Sequence, residues 1–322
     1  MMMTKRALFE HAKQHSSANT AASLDATGFE MLVQYLHAGI AQGSISEDAL
    51  GSFRSLLGPA LSSSTMQGIA YEKPYGYAGD FWTLDLIYQN HHNTSPEFYR
   101  WDAFFQNCSA VRAVRNRKQL FKHLMLQLEA VTTGAVSVLN LASGPGRDVL
   151  EYFQSSVHPR CSICCVDQDQ HAIAYAQKLC GDFREHIRFE QSNAFRFRSA
   201  EAYRLIWSAG LFDYLNDNQF VFLLNRLLDM LAPDGEVIIG NFSPANPSRA
   251  YMEVIGDWHL IHRSADQLVQ LSQACSIDPQ HVRVLAEPEG VNLFLHIKAG
   301  AGFLDVDAQF GKTVYPTESS NV

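Results

Sequence analysis

The residues best placed to do chemistry lie in one run, Val138-Leu139-Asn140-Leu141-Ala142-Ser143-Gly144-Pro145-Gly146-Arg147-Asp148. An apolar stretch of strand length enters a tight turn of small residues and then a helix. Glycine in such a turn lets the backbone approach a ligand closely. The helix N-terminus adds free N–H groups and positive potential. About twenty residues further on, a second strand-like run ends at Asp167, and in this layout a carboxylate accepts hydrogen bonds from the two hydroxyls of a ribose. The loop has two glycines where G-x-G-x-x-G has three, so it matches a dinucleotide fingerprint weakly. It also lacks the Lys and Ser/Thr of a phosphate-cradling loop.

Other chemistry-bearing residues cluster in three places. Tyr71-Glu72-Lys73-Pro74-Tyr75-Gly76-Tyr77-Ala78-Gly79-Asp80 combines aromatic walls, flexible glycines and one carboxylate. It reads either as a lid whose rings hold a cation or as a surface loop with aromatic anchors. Asp80 is able to bond a hydroxyl, an amine or a neighbouring arginine. Arg112, Arg115, Arg117 and Lys118 share one predicted helix. They form either a solvated basic face or a pair, Arg115 or Arg117, that turns toward the glycine loop and grips a ligand carboxylate. Asn116 then helps to position that arginine. Asn241-Phe242-Ser243-Pro244-Ala245-Asn246-Pro247 leaves a predicted strand at its C-terminal end, where open α/β sheets bind ligands. Trp258, His259, His262 and Arg263 follow it.

Cysteine and histidine point away from metal chemistry. The 6 Cys include Cys161-Ser162-Ile163-Cys164-Cys165, which has no second pair at turn spacing and reads as small buried strand residues. The 13 His show no ligand spacing, so no metal is expected. The six cysteines fit a reduced, cytoplasmic protein.

The elements that must position these groups follow from periodicity. Residues 1–130 read as helical, with Phe29, Met31, Leu32, Tyr35 and Leu36 at helical spacing and a second pattern over 44–57. Further helices begin near Phe81 and Ala110. From about 135, strand-length runs (137–141, 162–166, 187–190, 205–208, 237–241, 282–285, 293–297) alternate with helix-length segments (147–154, 171–179, 219–231). This alternation predicts an α/β fold, a mostly parallel, doubly wound sheet of seven strands with helices on both faces. The last two strands are close enough for an antiparallel hairpin at the sheet edge. The expected organisation is a helical N-terminal cap over 1–130, a ligand-binding α/β domain over 131–304 and a polar tail over 305–322.

Of 322 residues, 47% are hydrophobic and 18% charged, which excludes a disordered chain. Net charge is −8 and no basic block is present, which disfavours nucleic acid as a partner. No stretch reaches the roughly 18 apolar residues of a membrane span. The N-terminal MMMTKRALFEHAKQH has basic residues without the apolar core of a secretory signal.

On these motifs the sequence resembles the class I S-adenosylmethionine-dependent methyltransferases. Their glycine motif resembles 139–146, and their ribose-binding acid falls on Asp167. A third motif resembles Gln191-Ser192-Asn193-Ala194 and a fourth Ser208-Ala209-Gly210-Leu211-Phe212-Asp213-Tyr214. The turn ahead of strand five resembles Leu231-Ala232-Pro233-Asp234-Gly235. Asn140 departs from the Asp that many members carry. Tyr77-Ala78-Gly79-Asp80-Phe81, Ala113-Val114-Arg115-Asn116-Arg117 and Met252-Glu253 with Asp257-Trp258-His259-Leu260-Ile261-His262-Arg263 resemble a bacterial subgroup. That subgroup includes the methyltransferase that makes a 3-hydroxypalmitic acid methyl ester signal.

The resemblance implies methyl transfer from S-adenosylmethionine to a small or medium acceptor, with a carboxylate and a methyl ester product as one form. An N- or O-methyltransferase of an amino-acid-like or aromatic molecule is an alternative. Others are a nicotinamide-dependent oxidoreductase and a non-catalytic binding protein on the same scaffold. Cofactor contacts are expected from Ala142, Ser143, Gly144, Gly146, Asp167, Gln168, Asn193, Ala194, Ser208, Gly210 and Arg115. Acceptor contacts are expected from Tyr75, Tyr88, Tyr214, Asn241, Trp258 and Arg263. A carboxylate acceptor is already ionised at neutral pH, whereas an amine or hydroxyl needs a base within reach. The candidates for that base are Asp80, Asp213, His259 and Tyr77.

Overall fold

The computed structural model describes residues 26–300 and 302–315. The stretch 1–15 considered above for a secretion signal lies outside the described residues, as do 316–322 of the expected tail. Two compact units result: residues up to Arg112 together with Pro247–His259, and Ala113–Asn246 together with 260–322. The helix Ser109–Val131 contains the boundary between them.

The first unit is helical. In Ala26–Ala41, Phe29, Leu32, Val33 and Leu36 form the buried stripe. Met31 and Tyr35, read into the same pattern, instead lie 65% and 40% exposed. Ser46 starts Glu47–Leu56 by accepting a hydrogen bond from the Ala49 N–H, the usual remedy for the unpaired donors of a first turn. Met66–Glu72 ends where Lys73 turns left-handed at φ 50°. Asp80 then caps Phe81–Tyr88. Phe29 makes edge contacts with Trp101, Phe104 and Tyr251, at centroid distances of 5.4, 5.6 and 6.4 Å. Tyr251 belongs to the short helix Arg249–Val254, so the returning segment is part of this core.

The second unit is an α/β sheet. Its strands are β1 (Val136–Leu141), β2 (Cys161–Asp167), β3 (Ile187–Gln191), β4 (Tyr203–Ser208), β5 (Leu231–Phe242), β6 (Val282–Ala286), β7 (Asn292–Lys298) and β8 (Lys312–Tyr315), in the order 3-2-1-4-5-7-6-8. β1 to β5 run parallel, and β7 pairs antiparallel with both β5 and β6. Two expectations need correction. The sheet is mixed and has eight described strands where seven were expected, because Lys312–Tyr315, read as polar tail, pairs antiparallel with β6. The hairpin β6–β7 is therefore inside the edge. The Leu231–Gly235 turn is also absorbed into β5 as an irregularity: Leu231 pairs with Tyr203 and the next partner of β4 is Glu236, opposite Leu205. Glycine is required at 235, where a Cβ would lie 2.8 Å from the Tyr203 carbonyl oxygen.

Alternate strand residues point to opposite faces. Leu139, Ile206 and Ile239 join one apolar cluster, with Phe220, Leu223 and Leu227 of helix Asp217–Leu228 and Leu268 of Ala265–Gln273. Val138, Trp207 and Ile238 join the other, with Leu120, Phe121, Leu124 and Leu128 of Ser109–Val131. Each fully buried side chain of this size contributes about 1.5–3 kcal/mol, so both faces of the sheet are anchored. Among the described residues no helix is long and apolar enough to cross a membrane.

Candidate functional site

The turn after β1 is built from unusual backbone. Ala142 (φ 55°), Gly144 (φ 56°) and Gly146 (φ 71°) are all left-handed. Alanine in that region carries strain of the kind that gathers at ligand sites. The Ser143 N–H donates to the Val166 carbonyl, which ties the turn to β2. Gly146 caps the helix Arg147–Ser155. Its Cβ would come within 3.1 Å of the Ala176 Cβ, and its carbonyl accepts the buried Cys180 thiol. A Cβ at Gly144, in contrast, would meet nothing within 4 Å. The loop therefore backs onto packed protein at 146 and faces open space at 144.

Asp167, at the end of β2, braces this loop. Its Oδ2 accepts the Gly144 N–H at 2.9 Å and its Oδ1 the Asp169 N–H at 3.0 Å. Burial holds its carboxyl above the ordinary range, against the pull of those N–H groups. A carboxylate offers about four acceptor sites, so two stand beyond the bonds to Gly144 and Asp169. The Ser143 hydroxyl is sequestered from water and has no hydrogen-bond partner. Such a group is costly unless something bonds it. The open face at Gly144, the orphaned Ser143 hydroxyl and the remaining capacity of Asp167 all fit a hydroxylated, adenosyl-type cofactor.

A charged cluster that sequence spacing identified only in part stands beside the loop. Asp148, in the first turn after Gly146, is buried and accepts the Val149 N–H at 2.9 Å. Asn140 Nδ2 lies 3.4 Å from its Oδ2. Burial pushes the Asp148 carboxyl up to about 6, opposed by the Val149 N–H, the Arg117 charge and the Asn140 amide. Arg117 is buried and donates from Nη1 to the Ala209 carbonyl at 3.1 Å. Its guanidinium comes within 3.2 Å of where a Cβ on Gly210 would be. Arg115 was the expected cofactor contact, and it is only half-buried. The arginine brought to the ends of β1 and β4 is Arg117. Its helix-face position and the acid two residues past Gly146 were both visible in the sequence.

Further along the edge, the predicted residues divide. Gln168 and Asn193 are exposed and paired, Asn193 Nδ2 donating to Gln168 Oε1 at 3.2 Å, while Ala194 packs against the core. The buried Ser208 hydroxyl donates to the Leu141 carbonyl and joins β4 to β1. Asp213 accepts the Phe242 N–H at 2.6 Å, and its carbonyl accepts the Ile261 N–H. Burial pushes its carboxyl up to about 7, moderated by that N–H and by Arg117 and Arg263. Tyr214 is exposed.

Arg263 and Asn241 do not act as expected. Arg263 donates Nε and Nη2 to Asp217, Nη1 to the Phe212 carbonyl and Asn241 Oδ1, and Nη2 to the Leu215 carbonyl. A guanidinium has five N–H donors, and all are spent inside the protein. Asn241 Nδ2 donates to the carbonyls of Phe242 and Ile261. Both side chains hold the segments after β4 and β5 together and have no donor left for an acceptor.

Tyr75, Tyr77, Asp80, Tyr88, Trp258 and His259 belong to the first unit. Asp80 is buried as a cap, bonded by the Thr83 N–H at 2.8 Å and the Tyr75 N–H at 3.4 Å. Tyr75 packs on Phe81 at 4.3 Å, whereas the Tyr77 side chain is exposed and Tyr88 half-buried. His259 is exposed, with Nε2 3.3 Å from Asp257, which Lys73 also contacts at 2.5 Å. Trp258 is half-buried. Among the described residues no cluster of His, Cys, Asp and Glu is suited to a metal.

Residues 138–235 match the family model described as a methyltransferase domain, so the chain carries such a domain across the glycine loop, Asp167 and the start of β5. A possible exported protein from Bordetella parapertussis has a similar fold: TM-score 0.58 at 16% identity, over 92% of this chain and 95% of that one. Magnesium protoporphyrin IX methyltransferase from Synechocystis PCC 6803, solved with bound S-adenosylhomocysteine, gives 0.50 at 9% identity, over 73% of this chain and 100% of that one. At these identities the likeness is one of fold. No curated protein matches the chain in sequence.

Proposed function

We propose that this methyltransferase domain uses S-adenosylmethionine to methylate a small-molecule acceptor. The observation that carries the reading is the loop 142–146, which is strained, open at Gly144, orphaned at Ser143 and braced by Asp167. When bound, the cofactor supplies a methyl group already activated on a sulfonium. The protein's own tasks are to bind, align and exclude water. Asp167 would accept the ribose hydroxyls, and the amides at the start of Arg147–Ser155 would present positive potential. Gln168 and Asn193, a paired polar group at the ends of β2 and β3, would face the base.

A carboxylate acceptor rests on the subgroup resemblance. It draws no support from Arg263, whose donors are all committed. Calorimetric titration of the folded protein with S-adenosylhomocysteine tests the cofactor, and binding in roughly the micromolar range is expected. Absence of heat would remove the reading. Incubation of cell extract with methyl-labelled cofactor then tests the acceptor: an ester releases its label in mild alkali, while N-methyl and ether products retain it.

A further inference from the structure

The hairpin between β6 and β7 brings two buried polar side chains to the edge of the sheet where β5 ends, and they are in opposite states. Glu287 directly follows β6 and is fully buried. Its Oε1 accepts the N–H groups of Val291 and Asn292 at 2.9 and 3.1 Å. Its Oε2 accepts the Glu289 N–H at 2.8 Å and a hydrogen from Asn116 Nδ2 at 2.7 Å. A carboxylate has about four acceptor sites, and these bonds fill them. Glu287 therefore fixes the turn and ties it to the helix Ser109–Val131.

Asn292, the first residue of β7, is also fully buried, yet neither its Nδ2 nor its Oδ1 has a hydrogen-bond partner. Its main chain is engaged: the N–H goes to Glu287, and the carbonyl accepts the Glu287 N–H at 3.1 Å. Its side chain shares a sheet face with its cross-strand pair Phe242, the last residue of β5, and with Phe294, whose ring lies 5.5 Å from that of Trp207. A carboxamide among aromatic rings is costly at both ends unless something bonds it. Leucine has nearly the same volume and would avoid that cost. The hairpin backbone does not need the amide, because Glu287 already holds it.

Phe242 ends β5 at the C-terminal edge of the parallel strands, where open α/β sheets receive ligands. In the order 3-2-1-4-5-7-6-8, three strand spacings separate β7 from β1. Asn292 thus stands about 14 Å across the sheet from the end of β1. That is too far for its amide to serve the loop 142–146, and it leaves the acceptor as the group within its reach.

We infer that Asn292 is a specificity-determining residue for the methyl acceptor, its carboxamide pairing with a carbonyl that stands next to an N–H or O–H. Nδ2 donates to the carbonyl and Oδ1 accepts from the neighbouring donor. This rests on the methyl-transfer reading above. A neutral amide does not select charge, so it reads the pattern of donor beside acceptor. A lone carboxylate leaves Oδ1 unbonded, and a bare hydrocarbon or ring leaves both atoms so.

The test uses the full chain, methyl-labelled S-adenosylmethionine and cell extract as the source of acceptor. Asn292→Leu and Asn292→Ala should each lower the initial rate of label transfer about 10-fold or more, the scale of losing two hydrogen bonds to a bound ligand. Affinity for S-adenosylhomocysteine should stay within about 2-fold of wild type. The melting temperature of Asn292→Leu should equal or exceed that of wild type, because an orphaned amide gives way to an apolar side chain of like size. Asn292→Ala keeps the test decisive if leucine unfolds the protein or obstructs the acceptor by bulk. The labelled product of wild type, identified by mass spectrometry, should carry a carbonyl next to an N–H or O–H. Variants that transfer label at the wild-type rate would overturn the inference, and so would a product without that pair. If wild type binds S-adenosylhomocysteine but labels no small molecule, the acceptor reading itself fails and takes the inference with it, a different result from labelling that ignores Asn292.

Discussion

The segments after β1 and β2 and those after β4 and β5 line the same edge of one sheet, yet they treat their polar groups in opposite ways. After β1 and β2, the Ser143 hydroxyl is orphaned, Gly144 faces open space and Asp167 has acceptor capacity beyond its bonds to the Gly144 and Asp169 N–H groups. After β4 and β5, every donor of Arg263 and both amide hydrogens of Asn241 are taken by carbonyls and side chains of the protein. A surface that receives a ligand must leave hydrogen-bonding capacity unspent, and a brace must spend it. Residue type does not distinguish the two, since arginine and asparagine suit either purpose.

The largest effect should come from the brace. Arg263→Met leaves the buried Leu215 carbonyl and the Asn241 amide oxygen without the donors they have now, and should cost about 3–5 kcal/mol of unfolding free energy in urea. Affinity for S-adenosylhomocysteine, measured where the variant is still folded, should change little. Full stability with lost binding would reverse the contrast between the two sides. Asp167→Ala should do the opposite. It should weaken S-adenosylhomocysteine about ten- to a hundred-fold by calorimetry. Its stability should shift by less than about 1.5 kcal/mol, because burial already penalises that carboxylate. Gly144→Ala is the finest probe. Its methyl group meets no protein atom within 4 Å, so only the φ of 56° opposes it, at about 1–2 kcal/mol by chemical denaturation. A larger loss would mean that the loop is packed and not open.

Much of this arrangement was legible in the sequence. Each predicted strand over 137–297 appears, because strand-length apolar runs alternating with helix-period segments have few other solutions. Lys312–Tyr315 was missed because a short edge strand carries little apolar signal, with Lys312 and Thr313 exposed. Met31 and Tyr35 were placed on a buried face because periodicity marks a stripe and not its width. In the site, the glycine loop and Asp167 were legible because backbone geometry there restricts residue choice. Arg263 was misjudged because its partners, Phe212, Leu215, Asp217 and Asn241, are brought to it by the fold. Asp148 escaped selection because an acid in a first helical turn is common, and its burial beside Arg117 is a tertiary fact.

The strand β8 has a consequence for the chain's behaviour in solution. Its partner β6, Val-Arg-Val-Leu-Ala, is almost wholly buried and would otherwise present an unpaired row of amides and carbonyls beside apolar side chains. Rows of that kind recruit strands from other molecules. Lys312–Tyr315 pairs with that row and places an exposed lysine and threonine at the border, charge and polarity of the kind that discourage pairing with a neighbour. The last described element, which contributes nothing to the glycine loop, thereby covers the backbone row of β6 that would otherwise be open to another strand.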